Sequence, residues 1–428
     1  MSKVIVVGGG ASGMMAALSA SKNNNEVILV ERNGELGRKL RATGGGRCNF
    51  TNNREIEDFF DKVVSNKKFL YSSFYTFTNK DLISYFESRN LEYKIEEEND
   101  HKVYTKNDKS IEVIEVLNKD LLNHNVKIMY NKKVIDIITE EIALKDDSNK
   151  DKSKYLIKGI ILDNGDKILG DKVIISTGGV SYSKTGSDGS MYKILKKHGH
   201  TLNKLYPALV PLTIEEKWIK DLQGISMKNV EISCKIKKRK ISKSGDMLFA
   251  HFGITGPCVL IMSSYINKII EKEKVELNID FLPNLSTDEI SSIIRAFPNK
   301  NVLNNLKQIL PQNFLREIFS LLSLVDKKAS DLSKADEIRI IEYIKNMKLT
   351  CNGTTGINTG MVTSGGISVK EINSSTMESK LVKNLFFTGE VIDIDAETGG
   401  YNLQIAFSTG YLAGISCLLY TSPSPRDR

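Results

Sequence analysis

A glycine-rich turn near the N-terminus constrains the fold of this chain more than any other feature. The motif Gly8-x-Gly10-x-x-Gly13 follows an apolar, β-branched run at 3–7 and precedes a segment of helix-forming residues. A second apolar run at 26–31 completes a strand, a helix and a strand within about thirty residues, the length of one βαβ unit. This order predicts a Rossmann-type domain built on a parallel sheet.

Each glycine of this motif has a separate mechanical role. Gly8 permits the tight turn, Gly10 lets a pyrophosphate approach bare backbone, and Gly13 allows the helix to pack closely on the strand. The free N–H groups at the start of a helix bind phosphates. Ala11 and Ser12, which begin this helix, are therefore part of the predicted phosphate site.

An acidic residue lies at the end of the second strand, where this fold needs one. Glu31 follows Gly13 by 18 residues and is placed to accept hydrogen bonds from an adenosine ribose. Glycine-rich strand ends also occur for packing alone, but the strand, the helix and the acid together predict dinucleotide binding. Arg32, next to this acid, is included in the predicted cofactor site.

The polar, glycine-rich loop at 37–49 is the second candidate cofactor-binding element. Consecutive glycines with flanking cations suit a backbone wrapped around an anionic, planar ligand, although a surface loop can have the same composition. The predicted contacts from this loop are Arg38, Lys39, Thr43, Gly44, Gly45, Arg47 and Asn49.

The first motif alone does not distinguish FAD from NAD, because both cofactors use it. Cofactor-like turns recur far downstream, and this recurrence favours FAD. The strand at 385–388 ends at Gly389-Glu390 and resembles the strand-plus-acid element that grips the ribityl chain in glutathione-reductase-like flavoproteins. A helix starting at 400 can direct its positive end at the N1–C2=O edge of the flavin; a purely structural strand–turn–helix is the alternative. The further predicted contacts are Val134, Thr177, Gly178, Gly179, Asp393, Gly400, Tyr401, Asn402 and Leu403.

Several longer motifs together resemble one protein family. They are the segments 8–13, 37–49, 177–179 with 185–187, 207–212, 251–257 and 388–410. They are similar to those of bacterial flavoproteins described as NAD(P)/FAD-dependent oxidoreductases, or aminoacetone-oxidase-family FAD-binding enzymes, a family that includes 3-dehydro-bile-acid Δ4,6-reductase. The resemblance extends to about residue 418. It implies FAD as cofactor but no particular substrate.

The predicted fold class is α/β, with a glutathione-reductase-type FAD-binding Rossmann domain interrupted by an inserted domain. Short β-like runs followed by helical patterns indicate that the insert is β-barrel-like and helical. The predicted bounds are 1–190 and 347–420 for the two parts of the FAD-binding domain, 191–346 for the insert, and 421–428 for a disordered tail.

Two local expectations concern strand pairing. The runs at 126–130 and 134–138 follow a helical pattern and are expected to extend the parallel sheet. The dipeptide Asn164-Gly165 between two apolar runs predicts a β-hairpin with a type I′ turn. The polar stretch at 145–154 is expected to form a hairpin loop.

The charge pattern raises the question of a nucleic-acid partner. The chain has a formal net charge of +8 and a basic run, Lys-Ile-Lys-Lys-Arg-Lys, at 235–240. Such a run can mark a nucleic-acid surface, but a short basic cluster in a strand is more often a solvated face or a protected edge. A small-molecule substrate is therefore the expected partner, and nucleic acid is not.

Cysteine usage and hydropathy indicate a cytoplasmic protein. The five cysteines are widely spaced and form no C-x-x-C pair, which is typical of reduced thiols. No run of 18 or more apolar residues occurs, so no segment is expected to span a membrane.

Two residues are candidates for catalysis, His251 and Cys48. His251 lies between an apolar strand and Gly253, and Cys48 follows Arg47 in the glycine-rich loop. A lone histidine is more often structural than catalytic. Neither residue lies in a nucleophile–base–acid arrangement, and no metal-ligand spacing is visible, so no metal is expected.

The flavin itself is expected to carry the redox step. We expect an FAD-dependent oxidoreductase in which NAD(P)H gives a hydride to flavin N5, which passes it to an activated C=C or C=O group of a small molecule. An FAD-dependent amine or aminoketone oxidase, and a flavoprotein with an RNA-directed role, remain as alternatives. The sequence leaves the substrate, the electron donor and the oligomeric state open.

Overall fold

The computed structural model describes residues 2–22, 25–142 and 153–417. The chain divides into two compact units, one that runs to Leu205 and resumes at Val362, and one that comprises Tyr206–Met361. The expected hairpin loop at 145–154 falls almost entirely outside the described residues, and the expected tail at 421–428 falls wholly outside them.

The regular elements are numbered in chain order. The strands are β1 (Lys3–Val7), β2 (Glu26–Val30), β3 (Thr51–Asn52), β4 (Tyr93–Glu96), β5 (Lys102–Thr105), β6 (Lys127–Met129), β7 (Val134–Glu141), β8 (Tyr155–Leu162), β9 (Lys167–Leu169), β10 (Lys172–Ile175), β11 (Leu202–Ala208), β12 (Leu212–Ile214), β13 (Ser226–Ile236), β14 (Arg239–Ala250), β15 (Gly253–Thr255), β16 (Val275–Asp280), β17 (Met347–Thr354), β18 (Val362–Ile367), β19 (Val382–Lys383) and β20 (Leu385–Phe387). The α-helices are α1 (Ala11–Ser21), α2 (Arg38–Ala42), α3 (Ile56–Lys62), α4 (Tyr71–Thr76), α5 (Asn79–Glu87), α6 (Ser110–Asn123), α7 (Ser190–Lys197), α8 (Pro257–Ile270), α9 (Thr287–Arg295), α10 (Val302–Leu306), α11 (Gln312–Leu321), α12 (Lys334–Lys345) and α13 (Tyr401–Ser416). Among the described helices, none combines the length and the hydropathy of a membrane-spanning segment.

The first unit is built on a five-stranded parallel sheet in the order β20-β10-β1-β2-β6. Val4 to Val7 of β1 pair with Lys172 to Ile175 of β10 on one side and with β2 on the other. These strands are continuous valine and isoleucine runs with both faces buried, as parallel strands require. The predicted α/β class with a Rossmann-type sheet is confirmed.

The expectation that two strands after α6 extend the parallel sheet holds for one of them. β6 pairs parallel with β2, but β7 pairs antiparallel with β8 in a separate sheet. The connection between Met129 and Val134 is too short for a parallel crossover, which needs a dozen or more residues. The prediction for β7 was therefore wrong.

The predicted hairpin is present, but its turn differs from the prediction. β8 and β9 pair antiparallel. Of the two turn residues only Gly165 has a positive φ, 86°, whereas a type I′ turn needs positive φ at both. The Gly165 N–H donates to the carbonyl of Leu162 at 2.9 Å, and the Asn164 side chain accepts from the N–H of Asp166 at 3.1 Å. This side-chain bond favours a negative φ at Asn164 followed by a left-handed glycine.

The second unit contains a closed antiparallel barrel in the order β12-β15-β14-β13-β16-β17, followed along the chain by helices before β17 closes it. Buried side chains such as Ile232, Phe249 and Leu277 belong to the hydrophobic core of this unit. A capping box begins α9, because the N–H of Glu289 donates to Ser286 Oγ at 3.2 Å and the Ser286 N–H donates to Glu289 Oε2 at 2.8 Å. The β-barrel-like and helical character of the insert is confirmed.

The two compact units divide the chain at residues other than the predicted bounds of 191 and 346. α7 lies in the first unit, where Lys197 Nζ pairs with Asp136 Oδ2 of β7 at 2.5 Å. β17 lies in the second unit, because it pairs with β12 and β16 and completes the barrel. The observed divisions therefore fall after Leu205 and after Met361.

Candidate cofactor site

The predicted cofactor segments of the first unit meet at one edge of its parallel sheet. Gly8 follows β1, Glu31 follows β2, Thr177 follows β10 after one residue and Gly389 follows β20 after one residue. Because the strands are parallel, their carboxyl ends share an edge, which is where such sheets bind ligands. A Cβ atom at Gly8 would lie 2.6 Å from the carbonyl oxygen of Ser176, so the turns touch each other.

The three glycines of the first motif have distinct surroundings. Gly8 has a φ of 104°, and a Cβ atom at Gly13 would lie 1.8 Å from the Gly8 carbonyl oxygen. At Gly10, in contrast, a Cβ atom would meet no atom within 4 Å, and no side chain caps α1. The first N–H groups of α1, from Ala11 and Ser12 onward, thus face a position where backbone is bare. A pyrophosphate fits such a position.

Glu31 fastens the glycine turn to the end of β2. Its side chain is almost fully buried, and Oε2 accepts from the N–H of Gly9 at 2.7 Å. Oε1 accepts from the N–H and the Nδ2 of Asn33 at 2.8 and 2.6 Å. Each carboxylate oxygen has two lone pairs. Oε2 accepts only one of these bonds, so it can still accept a ribose hydroxyl. Sequence reasoning missed the roles of Gly9 and Asn33.

The predicted cations of the site all have partners within the protein. Arg32 Nη1 pairs with Asp188 Oδ2 at 2.7 Å. Burial opposes ionisation of Asp188, but Arg32 outweighs it and the pKa of this carboxyl falls to about 2. Arg47 pairs with Glu96 and with Asp108, the latter at 2.8 Å from Nη2. These guanidinium groups therefore fix the polypeptide rather than present an unbalanced positive charge.

The glycine loop presents open backbone. Gly44, Gly45 and Gly46 have φ values of 59°, 66° and 93°, in the left-handed region that favours glycine. A Cβ atom at Gly45 or Gly46 would meet no atom within 4 Å. The protein itself therefore leaves space beside this loop, as a backbone cradle for a ligand requires.

The ends of the glycine loop are held by hydrogen bonds to the surrounding chain. Arg38 donates to Asn33 Oδ1 at 2.9 Å, and Thr43 Oγ1 donates to a carbonyl of α2 at 2.7 Å. Asn49 Nδ2 donates to the carbonyls of Thr51 and Val103, at 2.8 and 3.0 Å. These last bonds join the loop to β3 and β5, so the cradle has a rigid support.

A partly buried polar cluster connects the loop with the turn after β20. Lys39 Nζ lies 2.5 Å from Glu390 Oε2 and 2.8 Å from Ser181 Oγ. Glu390 Oε1 accepts from the Thr363 N–H at 2.6 Å and from Ser181 Oγ at 2.9 Å. Burial alone would raise the pKa of Glu390, but Lys39 and these donors have the larger effect. The pKa is therefore lowered from its ordinary value, and the carboxyl is ionised. Ser181 and Thr363 were not predicted; the glycine pair after Thr363 was the available signal.

The turn at Thr177-Gly178-Gly179 packs against neighbouring side chains. Gly178 has a φ of 72°, and a Cβ atom there would lie 2.7 Å from Ser187 Oγ. A Cβ atom at Gly179 would lie 2.3 Å from Thr363 Oγ1. Both positions therefore need glycine for packing. Val134, in contrast, is buried at the start of β7, which belongs to another sheet of the same unit.

The start of α13, like that of α1, has no side-chain cap, but its backbone differs, since a Cβ atom at Gly400 would lie 2.4 Å from the carbonyl group of Thr51. Gly400, with a φ of 91°, precedes the helix, and no side chain caps its first N–H groups. Tyr401 is fully buried, Leu403 is partly exposed, and Asn402 Oδ1 accepts from the N–H of Ala396 at 2.9 Å. An uncapped helix start attracts an electron-rich group.

Asp393 is left with an unused acceptor. It is buried, and its Oδ2 accepts from Asn203 Nδ2 at 2.7 Å. Within residues 2–22, 25–142 and 153–417, no donor lies within hydrogen-bond distance of Asp393 Oδ1. Most buried acceptors have a partner, so this unpaired oxygen is an exception within the first unit.

The two catalytic candidates lie in different environments. Cys48 is fully buried, and burial raises the pKa of its thiol to about 12. It is therefore a neutral thiol near pH 7 and not a nucleophile. His251 lies in the second unit and is exposed, with its ring edge-on to Phe252. In the described parts of the chain, no three His, Cys, Asp or Glu side chains are grouped as metal ligands.

Comparison with known proteins gives similarity along nearly the whole chain. The family model of the HI0933-like protein Rossmann domain matches residues 2–416. The 3-dehydro-bile acid Δ(4,6)-reductase of Clostridium scindens is 29% identical over 400 residues, which cover 91% of this chain and 92% of that protein. The ribosomal RNA dihydrouridine synthase of Haemophilus influenzae is 30% identical over 393 residues, with the same coverage of 91% and 92%.

A solved structure shares the fold. The 3-ketosteroid-Δ4-(5α)-dehydrogenase of Rhodococcus jostii RHA1 matches with a TM-score of 0.51 at 13% identity, over 97% of each chain. At this identity the likeness concerns the architecture alone.

Proposed function

The chain belongs to the HI0933-like Rossmann-domain family, and from that premise we propose that it is an FAD-dependent oxidoreductase that reduces an activated C=C or C=O group with NAD(P)H as electron donor. The observation that carries the proposal is the bare backbone at Gly10, beside an uncapped α1 and at the carboxyl edge of the parallel sheet. That combination is the phosphate-binding half of a dinucleotide site.

The residues around this edge account for the parts of FAD. The N–H groups at the start of α1 would bind the pyrophosphate, and Glu31 would accept a ribose hydroxyl. The open backbone at Gly45 and the uncapped N–H groups at the start of α13 would lie against the flavin. Glu390 Oε2, which accepts from Lys39 and lies on a partly exposed side chain, offers an acceptor for a ribityl hydroxyl. Bound FAD supplies the hydride chemistry, which no side chain can provide.

The chain's own contribution to the reaction is to hold the cofactor, exclude side reactions and provide a proton. Cys48 is a neutral thiol and is unsuited to covalent catalysis. His251 stays our candidate proton donor, because an exposed imidazole can exchange protons with water. If it has this role, His251→Gln lowers the reduction rate while the flavin content is retained.

The names of the similar proteins support the reaction class. One reduces a 3-dehydro bile acid at Δ4,6, and the other forms dihydrouridine in ribosomal RNA. Dihydrouridine is uridine with its C5=C6 bond reduced, and that bond is conjugated to a carbonyl. In each case a hydride and a proton add across a C=C bond, so a polarised C=C is the favoured acceptor for this chain too.

The test is a spectroscopic one. Purified protein is examined for a flavin spectrum and is then mixed anaerobically with NADH or NADPH, followed by an enone. Bleaching of the flavin band and its recovery on addition of the enone are the expected results. A flavin that is not bleached, but is reduced by amines and releases peroxide in air, would show an oxidase instead. Protein without flavin would overturn the proposal.

A second candidate substrate is a uridine base within RNA. It is favoured because the dihydrouridine synthases of Haemophilus influenzae and Escherichia coli cover about nine-tenths of this chain, at 30% and 28% identity. Reoxidation of the reduced flavin by uridine-containing RNA, with loss of absorbance of the uracil base, separates this substrate from a free small molecule.

A further inference from the structure

The basic run at 235–240 forms the tip of a long hairpin in the second unit. β13 and β14 pair antiparallel, and the pairing runs from Ser226 opposite Leu248 to Ile236 opposite Arg239. Lys235 lies directly opposite Lys240. Lys237 and Lys238 form the two-residue connection. All five cations of the tip are exposed: Lys235, Lys237, Lys238, Arg239 and Lys240.

The positive charge of this tip is hardly balanced by the protein. Lys240 Nζ lies 3.8 Å from Glu231 Oε1. For the other four cations, no carboxylate among the described residues lies within ion-pair distance. The direct pairing of Lys235 with Lys240 places like charges opposite each other, which destabilises a hairpin.

The backbone conformation at Lys237 is also unfavourable for a lysine. Lys237 has a φ of 54°, in the left-handed region where two-residue hairpin connections prefer glycine or asparagine. The opposed lysines and the left-handed lysine thus both lower the stability of the hairpin, and both bring cations together at its tip. A binding function for the charge explains both, whereas a merely solvated edge explains neither.

We propose that this hairpin tip, residues 235–240, is a contact surface for the sugar-phosphate backbone of RNA. Exposed lysine and arginine side chains bind phosphates without reading sequence, and they displace the counterions of the nucleic acid. A membrane surface is less well matched, because the tip carries no exposed apolar or aromatic side chain to enter the lipid interface. This inference goes beyond the reductase and agrees with its second candidate substrate, the RNA uridine.

The test compares two variants of equal charge. Lys235→Gln, Lys237→Gln, Lys238→Gln and Arg239→Gln are combined in the hairpin variant. The control combines Lys220→Gln, Lys272→Gln, Lys307→Gln and Lys328→Gln, all at exposed positions of the same unit. Circular dichroism and flavin content establish that both variants fold. Binding of a fluorescently labelled, uridine-rich RNA hairpin is then measured by anisotropy over a series of salt concentrations.

We expect the hairpin variant to bind this RNA roughly tenfold or more weakly and the slope of log K against log salt to fall by roughly 3, since each lost phosphate contact removes about 0.7–0.9. The control should retain most of the affinity. Equal affinity in the hairpin variant, or an equal loss in the control, would overturn the proposal. So would loss of binding to phosphatidylserine vesicles with RNA binding unchanged.

Binding and reduction fail independently in this design. If the reductase proposal is wrong, the wild-type flavin does not respond to NAD(P)H, yet the anisotropy assay still reports on the hairpin. If the hairpin proposal is wrong, the RNA affinity is insensitive to the four substitutions, whatever the flavin does.

Discussion

Lys39 and Glu390 lie 351 positions apart in the chain, and their side chains form an ion pair with 2.5 Å between Nζ and Oε2. The pair joins the start of the glycine loop to the turn after β20, both of which belong to the candidate cofactor site. Ser181 and Thr363 complete the hydrogen bonds of the carboxylate. The shape of the site therefore depends on a contact between two segments that are far apart in the sequence.

Replacing Lys39 by methionine should make the first unit less stable and change its response to acid. The folded-state pKa of Glu390 lies below the ordinary value of 4.5, because Lys39 outweighs the effect of burial. A depressed carboxyl pKa stabilises fully above the unfolded value, and this stability is lost as pH falls through the folded value. We expect Lys39→Met to lose about 1–3 kcal/mol near pH 7 and much less at low pH. Denaturant unfolding measures both, with Lys39→Arg as the charge-preserving control; equal losses at both pH values would contradict the prediction.

Two alanine substitutions in one motif should have opposite consequences. Gly10→Ala places a methyl group where no atom lies within 4 Å, so the apoprotein should unfold at an unchanged denaturant concentration. The same methyl group obstructs the pyrophosphate, and FAD affinity should fall at least roughly tenfold. Gly13→Ala puts its methyl group 1.8 Å from the Gly8 carbonyl oxygen and should cost roughly 1–3 kcal/mol of stability. Flavin titration and unfolding of both variants test this; destabilised Gly10→Ala protein would refute the assignment.

Cys48 should prove chemically inert in the native protein. Burial raises the pKa of its thiol to about 12, and all five cysteines are free and buried. A thiol-specific reagent should therefore label the native protein negligibly near neutral pH and label it fully after denaturation. Cys48→Ser should retain flavin reduction within about twofold of wild type. Rapid native labelling that Cys48→Ser abolishes would restore Cys48 as a catalytic candidate.

The local parts of the fold and the site could be predicted from sequence, because they depend on neighbours in the chain. The strand, the glycine turn and α1 follow from residues 3–22 alone. The pairing of β7 could not be read from its composition, since it depends on the short connection that precedes it. The partners of Lys39 could not be predicted either, because they come from residues more than 140 positions away along the chain.

The same distinction applies to the charges of the site. Sequence patterns indicated cations near an anionic ligand, but not the acids that hold them. Arg47 lies between Glu96 and Asp108, which reach it from β4 and from the turn after β5. Only tertiary structure brings these side chains together, so a cation in a glycine-rich loop is a weak predictor of a free anion-binding group.

His200 should make the first unit sensitive to mild acid. It is buried, its Nε2 lies 2.8 Å from Ser379 Oγ, and burial lowers the pKa of the imidazole from 6.5 to about 4. Because the folded-state pKa is depressed, the stability is fully present above pH 6.5 and is lost as pH falls toward 4. Over that window the loss should approach roughly 3 kcal/mol. His200→Gln should unfold with a shallower pH dependence in this window; an unchanged dependence would exclude His200 as its source.

Lys237 should be a position where stability and binding conflict. Its φ of 54° disfavours every side chain relative to glycine, so Lys237→Gly should stabilise the second unit by about 1 kcal/mol. Lys238 is its matched control: it is equally exposed but has no positive φ, so Lys238→Gly should gain nothing and lose a few tenths through chain entropy. Each variant removes one cation from the tip and should weaken RNA binding similarly. Thermal unfolding and RNA anisotropy test both variants. We expect Lys237→Gly to be more stable than wild type and to bind RNA more weakly.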